Sequence, residues 1–372
     1  MRVLSIFGTR PEAIKMAPLV KKLESEPLID SVLCVTGQHR EMLDQVLEAF
    51  HLEPDFDLAV MKSEQTLSSI TTGVLSGITD TLETVRPDLV LVHGDTTTSM
   101  SAALGAFYQQ IPIGHVEAGL RTHNRYSPFP EEMNRKLISA LATFHFAPTQ
   151  KNKDALYKEG IVDRVWVTGN TALDAFAYTM RNDYKFNCAE LNRVDFSRPT
   201  ILLTAHRREN LGEPLRNICS AIRNVCAQRP DAQVIYPVHL NPSVQNTVRE
   251  ILGDLPNVIL VNPVDVIDMH NLMALCSFVM TDSGGLQEEA PFLDKPVLVL
   301  RRETEREEII ETGAAILVGT ETTTIEIEMK KLLDDKKLYQ AMAAAACPYG
   351  DGHAAERIVK HILSATSGGM NA

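Results

Sequence analysis

Short apolar runs alternate with longer helical stretches from one end of this chain to the other, and that alternation leaves few folds open. A short run that is apolar throughout has to be buried on both faces. That is the condition of a strand in a parallel sheet covered by helices. In the first half such runs fall at residues 2–7, 31–36, 88–93, 112–117, 144–147 and 164–168, with helical stretches between them, for example 40–50, 67–85 and 97–109. The second half repeats the grammar with runs near 200–205, 232–236, 257–261, 277–281, 296–300 and 315–318. The expectation is an α/β chain of two doubly wound domains facing each other across a cleft. Residues 180–199 are weakest in pattern and rich in Asn, Asp and Arg, so the linker is placed there. The expected domains are 1–180 and 181–372, with the last helix (about 351–363) crossing back to the first.

A chain of 372 residues exceeds what one core usually supports, which favours two domains. The formal net charge of −12 argues against nucleic acid as a partner, since no basic excess exists to displace counterions. A small anionic ligand remains open, because it needs only a local cluster of Arg, Lys and helix ends. The opening Met1–Phe7 run is too short for a signal peptide. No stretch approaches the ~18 apolar residues of a membrane span. The cysteines Cys34, Cys188, Cys219, Cys226, Cys276 and Cys347 show no CxxC pairing. Cys34 and Cys276 lie in apolar runs and read as core thiols, and a reducing cytoplasm is the expected compartment.

Ligands of doubly wound sheets bind beyond the carboxyl ends of the strands, so polar residues just past a strand end are the site candidates. The segment Asp282-Ser283-Gly284-Gly285-Leu286-Gln287-Glu288-Glu289-Ala290 follows such a run. Its hydroxyl and glycine N–H groups can face phosphate oxygens, and the helix beginning there adds the positive end of its dipole. Glu288 or Glu289, one turn on, can accept from a ribose diol.

The first strand ends in Gly8-Thr9-Arg10-Pro11-Glu12-Ala13-Ile14-Lys15. Pro11 suits a first helical turn, which puts Arg10 at the entrance and Lys15 about a turn further on. Arg10 can fork onto a diphosphate and Lys15 can add a point charge; the alternative is a solvated helix face. Past the next strands come Asp95, Glu117 and either Glu131 or Glu132, the last pair following a double-proline loop. Each acid alone could be a helix cap, but three around one cleft point to divided acid and base roles. In the second half His206-Arg207-Arg208 reads as an anion clamp or a proton donor to a leaving phosphate. His239 is a second such position, with a plain structural histidine as the alternative. Asp55-Phe56-Asp57 has the form of a metal-binding DxD, but Leu52 and Leu58 make it an irregular surface strand. His93 and Asp95 have no third metal ligand at a usual spacing. GxGxxG after the first strand and GxxxxGK[ST] are both missing.

From residue 1 to about 360 the chain resembles the non-hydrolysing UDP-N-acetylglucosamine 2-epimerases, bacterial enzymes of two Rossmann-like domains in the GT-B arrangement. The resemblance rests on Phe7–Pro18, Gln38–Val46, Val92–Thr98, His115–Arg121, Thr204–Asn210, Pro237–Pro242 and Asp282–Pro291. It implies that Arg10, His206, Ser283, Gly284, Gly285 and Arg306 contact the UDP diphosphate and nucleotide, with Glu289 on the ribose. Val264 and Met269 fall in the uracil segment, which departs from the family pattern, as does Glu307 in place of a proline. Lys15, Asp95, Glu117 and Glu131 form the sugar-side and proton-transfer group, with His206 also counted as catalytic. Gln38, Gln65, Arg207 and His239 match a second, activating UDP-sugar site of some members, although Glu41 and Glu64 depart from the regulated pattern. The implied reaction is C2 epimerisation of UDP-N-acetylglucosamine through a glycal, with no NAD and no metal. The remaining expectations are a UDP-sugar as partner, no membrane, and a homodimer.

Overall fold

The computed structural model describes residues 1–37, 40–60 and 66–367. Two units divide the chain: Met1–Tyr178 with Tyr349–Ala372, and Thr179–Pro348.

The first unit is built on β1 (Arg2–Phe7), β2 (Asp30–Val35), β3 (Phe56–Asp57), β4 (Leu89–His93), β5 (Ile113–Val116), β6 (Phe144–Ala147) and β7 (Val165–Val167). They form one sheet in the order β3-β2-β1-β4-β5-β6-β7, with every neighbouring pair parallel. The order reverses between β1 and β4, so the carboxyl ends of those two strands flank the crevice that such sheets offer to ligands. The helix Leu67–Val85 shows why these segments fold as they do. Ile70, Val74, Ile78, Leu82 and Val85 recur at helical spacing and are buried, contributing about 2 kcal/mol each before chain entropy is set against them. Thr66 caps its start by accepting from Ser69 N, and Arg86 ends it in the left-handed region at φ 49°. Leu4, Ile6, Val90 and Val92 meet this face and Ala102, Ala103 and Ala106 of the following helix in one core. The helix Ala354–Ser367 belongs to the same unit. Ala354 N and Ala355 N donate to the Asp174 carboxylate at 3.1 and 2.8 Å, and His361 stacks on Trp166 at 4.7 Å.

The second unit carries β8 (Thr200–Thr204), β9 (Gln233–Pro237), β10 (Val258–Val261), β11 (Phe278–Thr281), β12 (Val297–Val299) and β13 (Ala315–Leu317). Its order, β10-β9-β8-β11-β12-β13, is again all parallel, and its reversal lies between β8 and β11. Ile201, Leu203, Tyr236, Phe278, Met280 and Leu298 fill its core against the helix Glu213–Gln228. The expected α/β class with two doubly wound parallel sheets is what forms. Asp55-Phe56-Asp57 is an edge segment whose carboxylates are engaged by backbone: Asp55 accepts from Leu33 N at 2.8 Å and Asp57 from Ala59 N at 2.9 Å. Cys34 and Cys276 are buried, and burial pushes both thiols up to about 12, which suits inert core residues.

Candidate active site

In the first unit the site residues gather where β1, β4 and β5 end. The helix Arg10–Glu24 starts from Thr9, which accepts from Glu12 N while Glu12 accepts from Thr9 N and Gly8 N. That box fixes the first turn and leaves Arg10 at the entrance. Lys15 is only 8% exposed and its ammonium pairs with the Glu117 carboxylate, which excludes the solvated-face alternative. Glu117 follows β5 with φ 63°, a left-handed conformation that costs a non-glycine residue roughly 1 kcal/mol. His93 Nε2 lies 3.3 Å from Glu117 Oε2. Burial opposes ionisation of Glu117, but Lys15 and His93 hold its carboxyl well below the usual carboxylate range.

Beside it, Asp95 Oδ2 sits 2.6 Å from Arg135 Nη2, and the Asp95 carbonyl accepts from Asn134 Nδ2 at 2.8 Å. His115 Nε2 donates to the Gly94 carbonyl at 2.7 Å and so holds the turn that presents Asp95; burial lowers this imidazole to about 3 and keeps it neutral. The two neighbouring acids of the helix Glu131–Leu141 have different surroundings. Glu132 is fully buried and accepts from Thr122 N, His123 N and Arg135 Nη1 at 3.0, 3.2 and 3.2 Å. Glu131 Oε2 is buried with no hydrogen-bond partner among the described residues. The carboxylate of Glu132 is thus taken up by the loop and Arg135, and that of Glu131 is not engaged in the same way.

In the second unit the residues expected to hold the diphosphate follow the ends of β8 and β11. Ser283 stands immediately before the helix Gly284–Glu289, and its side chain makes no capping hydrogen bond to it. A Cβ on Gly284 would lie 2.6 Å from Arg306 Cζ, so only glycine lets the guanidinium rest against this helix start. Arg306 Nε and Nη2 donate to Glu288 Oε1 at 2.9 and 2.8 Å, and Arg306 also pairs with Glu305. Arg301 Nη1 reaches the other Glu305 oxygen at 2.8 Å. Burial raises the Glu305 carboxyl, but Arg306 and Arg301 bring it down to about 2. Glu289 Oε2 lies 3.7 Å from His270 Nε2, whose Nδ1 is 2.7 Å from Thr179 Oγ1. The His206 and His239 rings stack with centroids 5.1 Å apart.

A family model described as UDP-N-acetylglucosamine 2-epimerase matches residues 21–363. The chain belongs to that family. The resemblance read from the motifs is thereby borne out. The UDP-N-acetylglucosamine 2-epimerase of Bacillus subtilis is 54% identical over 364 residues, 98% of this chain and 95% of that protein. The S. aureus MnaA–UDP co-structure superposes with a TM-score of 0.90 at 48% identity, covering 98% of this chain and 97% of that one. A UDP-GlcNAc 2-epimerase from Neisseria meningitidis, solved bound to UDP-GlcNAc, gives 0.89 at 45% identity, covering 98% and 100%.

For this member of the UDP-N-acetylglucosamine 2-epimerase family, the expected residues fall into two groups. Arg10, Lys15, Asp95, Glu117 and Glu131 lie in the first unit. His206, Val264, Met269, Ser283, Gly284, Gly285, Glu289 and Arg306 lie in the second, Val264 buried just ahead of the helix Val266–Leu275 and Met269 in its second turn. Of the four second-site candidates, Arg207 and His239 follow β8 and β9, whereas Gln38 and Gln65 lie outside the described residues, as does Glu64. Sequence reasoning missed Arg135, His270 and the part Asp282 plays. The i,i+3 spacing of Glu132 and Arg135 on one helix was the available signal for the first. No helix among the described residues is long and apolar enough to cross a membrane.

Proposed function

We propose that this protein interconverts UDP-N-acetylglucosamine and UDP-N-acetylmannosamine by eliminating and re-adding UDP. The sugar C2 proton is not next to a carbonyl, so its direct removal would be prohibitively slow. In the elimination a carboxylate takes that proton, the C2–H pair becomes the C1=C2 double bond, and the C1–O bond breaks toward the β-phosphate. UDP then adds back to C1 while C2 receives a proton on its other face. Both faces of C2 need a proton-transfer group, which asks for more than one acid. Asp95, Glu117 and Glu131 supply them. Arg10, His206, the Ser283–Gly285 turn and Arg306 hold the diphosphate while it is detached from the sugar. Glu289 takes the ribose diol, and Val264 and Met269 flank the uracil.

The observation that carries this reading is the surroundings of Glu117, a largely buried carboxylate kept ionised by Lys15 and His93. A UDP-binding sensor needs the diphosphate contacts but no proton-transfer group at the sugar. The wider reading takes 1–180 and 181–372 as the two functional domains, a homodimer as the working form and the cytoplasm as its place, feeding surface polysaccharide synthesis. Arg207 and His239, with Gln38 and Gln65, would form the activating second site.

Turnover in deuterated water tests the chemistry. Deuterium should appear at C2 of both sugars, and its absence would sink the proposal. Accumulation of free N-acetylmannosamine and UDP would instead mark a hydrolysing enzyme in which water traps the glycal.

A further inference from the structure

Asp282 directly follows β11 with a side chain that is fully buried, and its two oxygens are treated very differently. Oδ2 is crowded with donors: His206 N at 2.8 Å, Arg207 N at 2.9 Å and Asn210 Nδ2 at 2.9 Å. Oδ1 is equally buried and has no hydrogen-bond partner among the described residues. A buried carboxylate oxygen without a donor is costly, on the order of 1–3 kcal/mol, and persists where something offsets it. The group that faces it is His206 Nδ1, 3.9 Å away. The His206 side chain is 41% exposed, and its neighbour His239 is stacked on it face to face at 11°.

We propose that Asp282 is the positioning residue for His206, its Oδ1 accepting Nδ1–H so that the imidazole is held as one tautomer with Nε2 directed to the substrate phosphate. This rests on the reading of His206 as a diphosphate-side residue and deepens it. The backbone N–H groups of His206 and Arg207 already anchor the loop to Oδ2, so the same carboxylate sets both where the ring starts and which way it turns. With Nδ1–H committed, neutral Nε2 can take a proton and, as imidazolium, return it to the leaving or attacking phosphate oxygen. The groups facing His206 are Asp282, His239 and Arg207. Burial lowers the imidazole below its ordinary value, Asp282 opposes that, and His239 and Arg207 add to it.

Asp282→Asn is the decisive variant. Three N–H donors converge on the Oδ2 position, so the amide oxygen must sit there and the NH2 must face His206. Nδ1 is then forced to accept, and the tautomer inverts to Nε2–H. The loop anchors survive, and UDP binding measured by calorimetry should stay within a few-fold. Turnover should fall by about 100-fold, with the His206-dependent limb of the pH–rate profile moved to lower pH. Nitrogen-15 NMR of histidine-labelled protein, with His206→Asn to assign the signal, reads the tautomer directly. Neutral His206 in the wild-type protein should be protonated on Nδ1 in the UDP complex. Finding it on Nε2 there overturns the proposal without recourse to any variant that might misfold. An unchanged tautomer and unchanged pH profile in Asp282→Asn overturn it equally. If His206→Asn leaves turnover intact while the tautomer inverts as described, the contact stands and only the catalytic reading of His206 fails.

Discussion

Arg135 Nη2 lies 2.6 Å from Asp95 Oδ2, and Nη1 of the same guanidinium lies 3.2 Å from the fully buried Glu132. One cation therefore ties the turn after β4 to the loop that Glu132 holds through Thr122 N and His123 N. Removing it strips Asp95 of this partner and leaves the buried Glu132 with its backbone donors alone, and breaking a buried pair costs about 3 kcal/mol. Arg135→Met should lower the urea midpoint of unfolding by a corresponding amount and reduce turnover together with it. Arg135→Lys, which keeps the charge but not the fork, should fall between.

Asp95→Asn and Glu117→Gln should reduce turnover by roughly 100-fold or more while leaving the dissociation constant of UDP within a few-fold. Calorimetric titration with UDP beside steady-state kinetics separates the two. Equal losses in both would refute the division between a proton-transfer cluster and a nucleotide cluster.

Gly284→Ala would place a methyl group 2.6 Å from Arg306 Cζ and push the guanidinium off the helix start. UDP affinity should drop about tenfold, equivalent to ~1.4 kcal/mol, with little change in thermal midpoint because the methyl meets the end of a side chain and no core atom. A variant that binds UDP as tightly as the parent would remove Arg306 from the diphosphate site.

Glu305 is ordinarily a group of about 4.5 and is held at about 2 by Arg306 and Arg301. A folded-state value below the unfolded one contributes stability that is fully present above 4.5 and is lost as pH falls toward 2. Glu305→Gln should therefore destabilise the protein at pH 7 and hardly at all near pH 2. Urea unfolding followed across that range gives the answer, and a difference that does not shrink on acidification would contradict the pairing.

The βα alternation, the Thr9–Glu12 helix start and the Ser283 turn were all legible because each is a local property. Strand and helix periods, a proline in a first turn and a strand running into Ser-Gly-Gly depend only on neighbours in the chain. What a side chain meets after the backbone has folded depends on strand order, and that is non-local. Lys15 and Glu117 are 102 residues apart, and nothing near either one announces their contact. Asp282 reads as the first residue of a phosphate loop, yet its donors come from the end of a strand over 70 residues earlier, as the separation of 76 to His206 N records.

The sequence by itself determined the class of fold, the family and the pool of polar residues at the strand ends. Only the tertiary structure decided among them: that Glu132 is spent on backbone N–H groups and Arg135 while Glu131 keeps a buried oxygen without a partner among the described residues, and that Lys15 is drawn inward instead of facing water. The reason is energetic. Two adjacent glutamates have the same intrinsic chemistry, and burial against particular donors, supplied by segments that meet only when the sheet is assembled, is what makes them different.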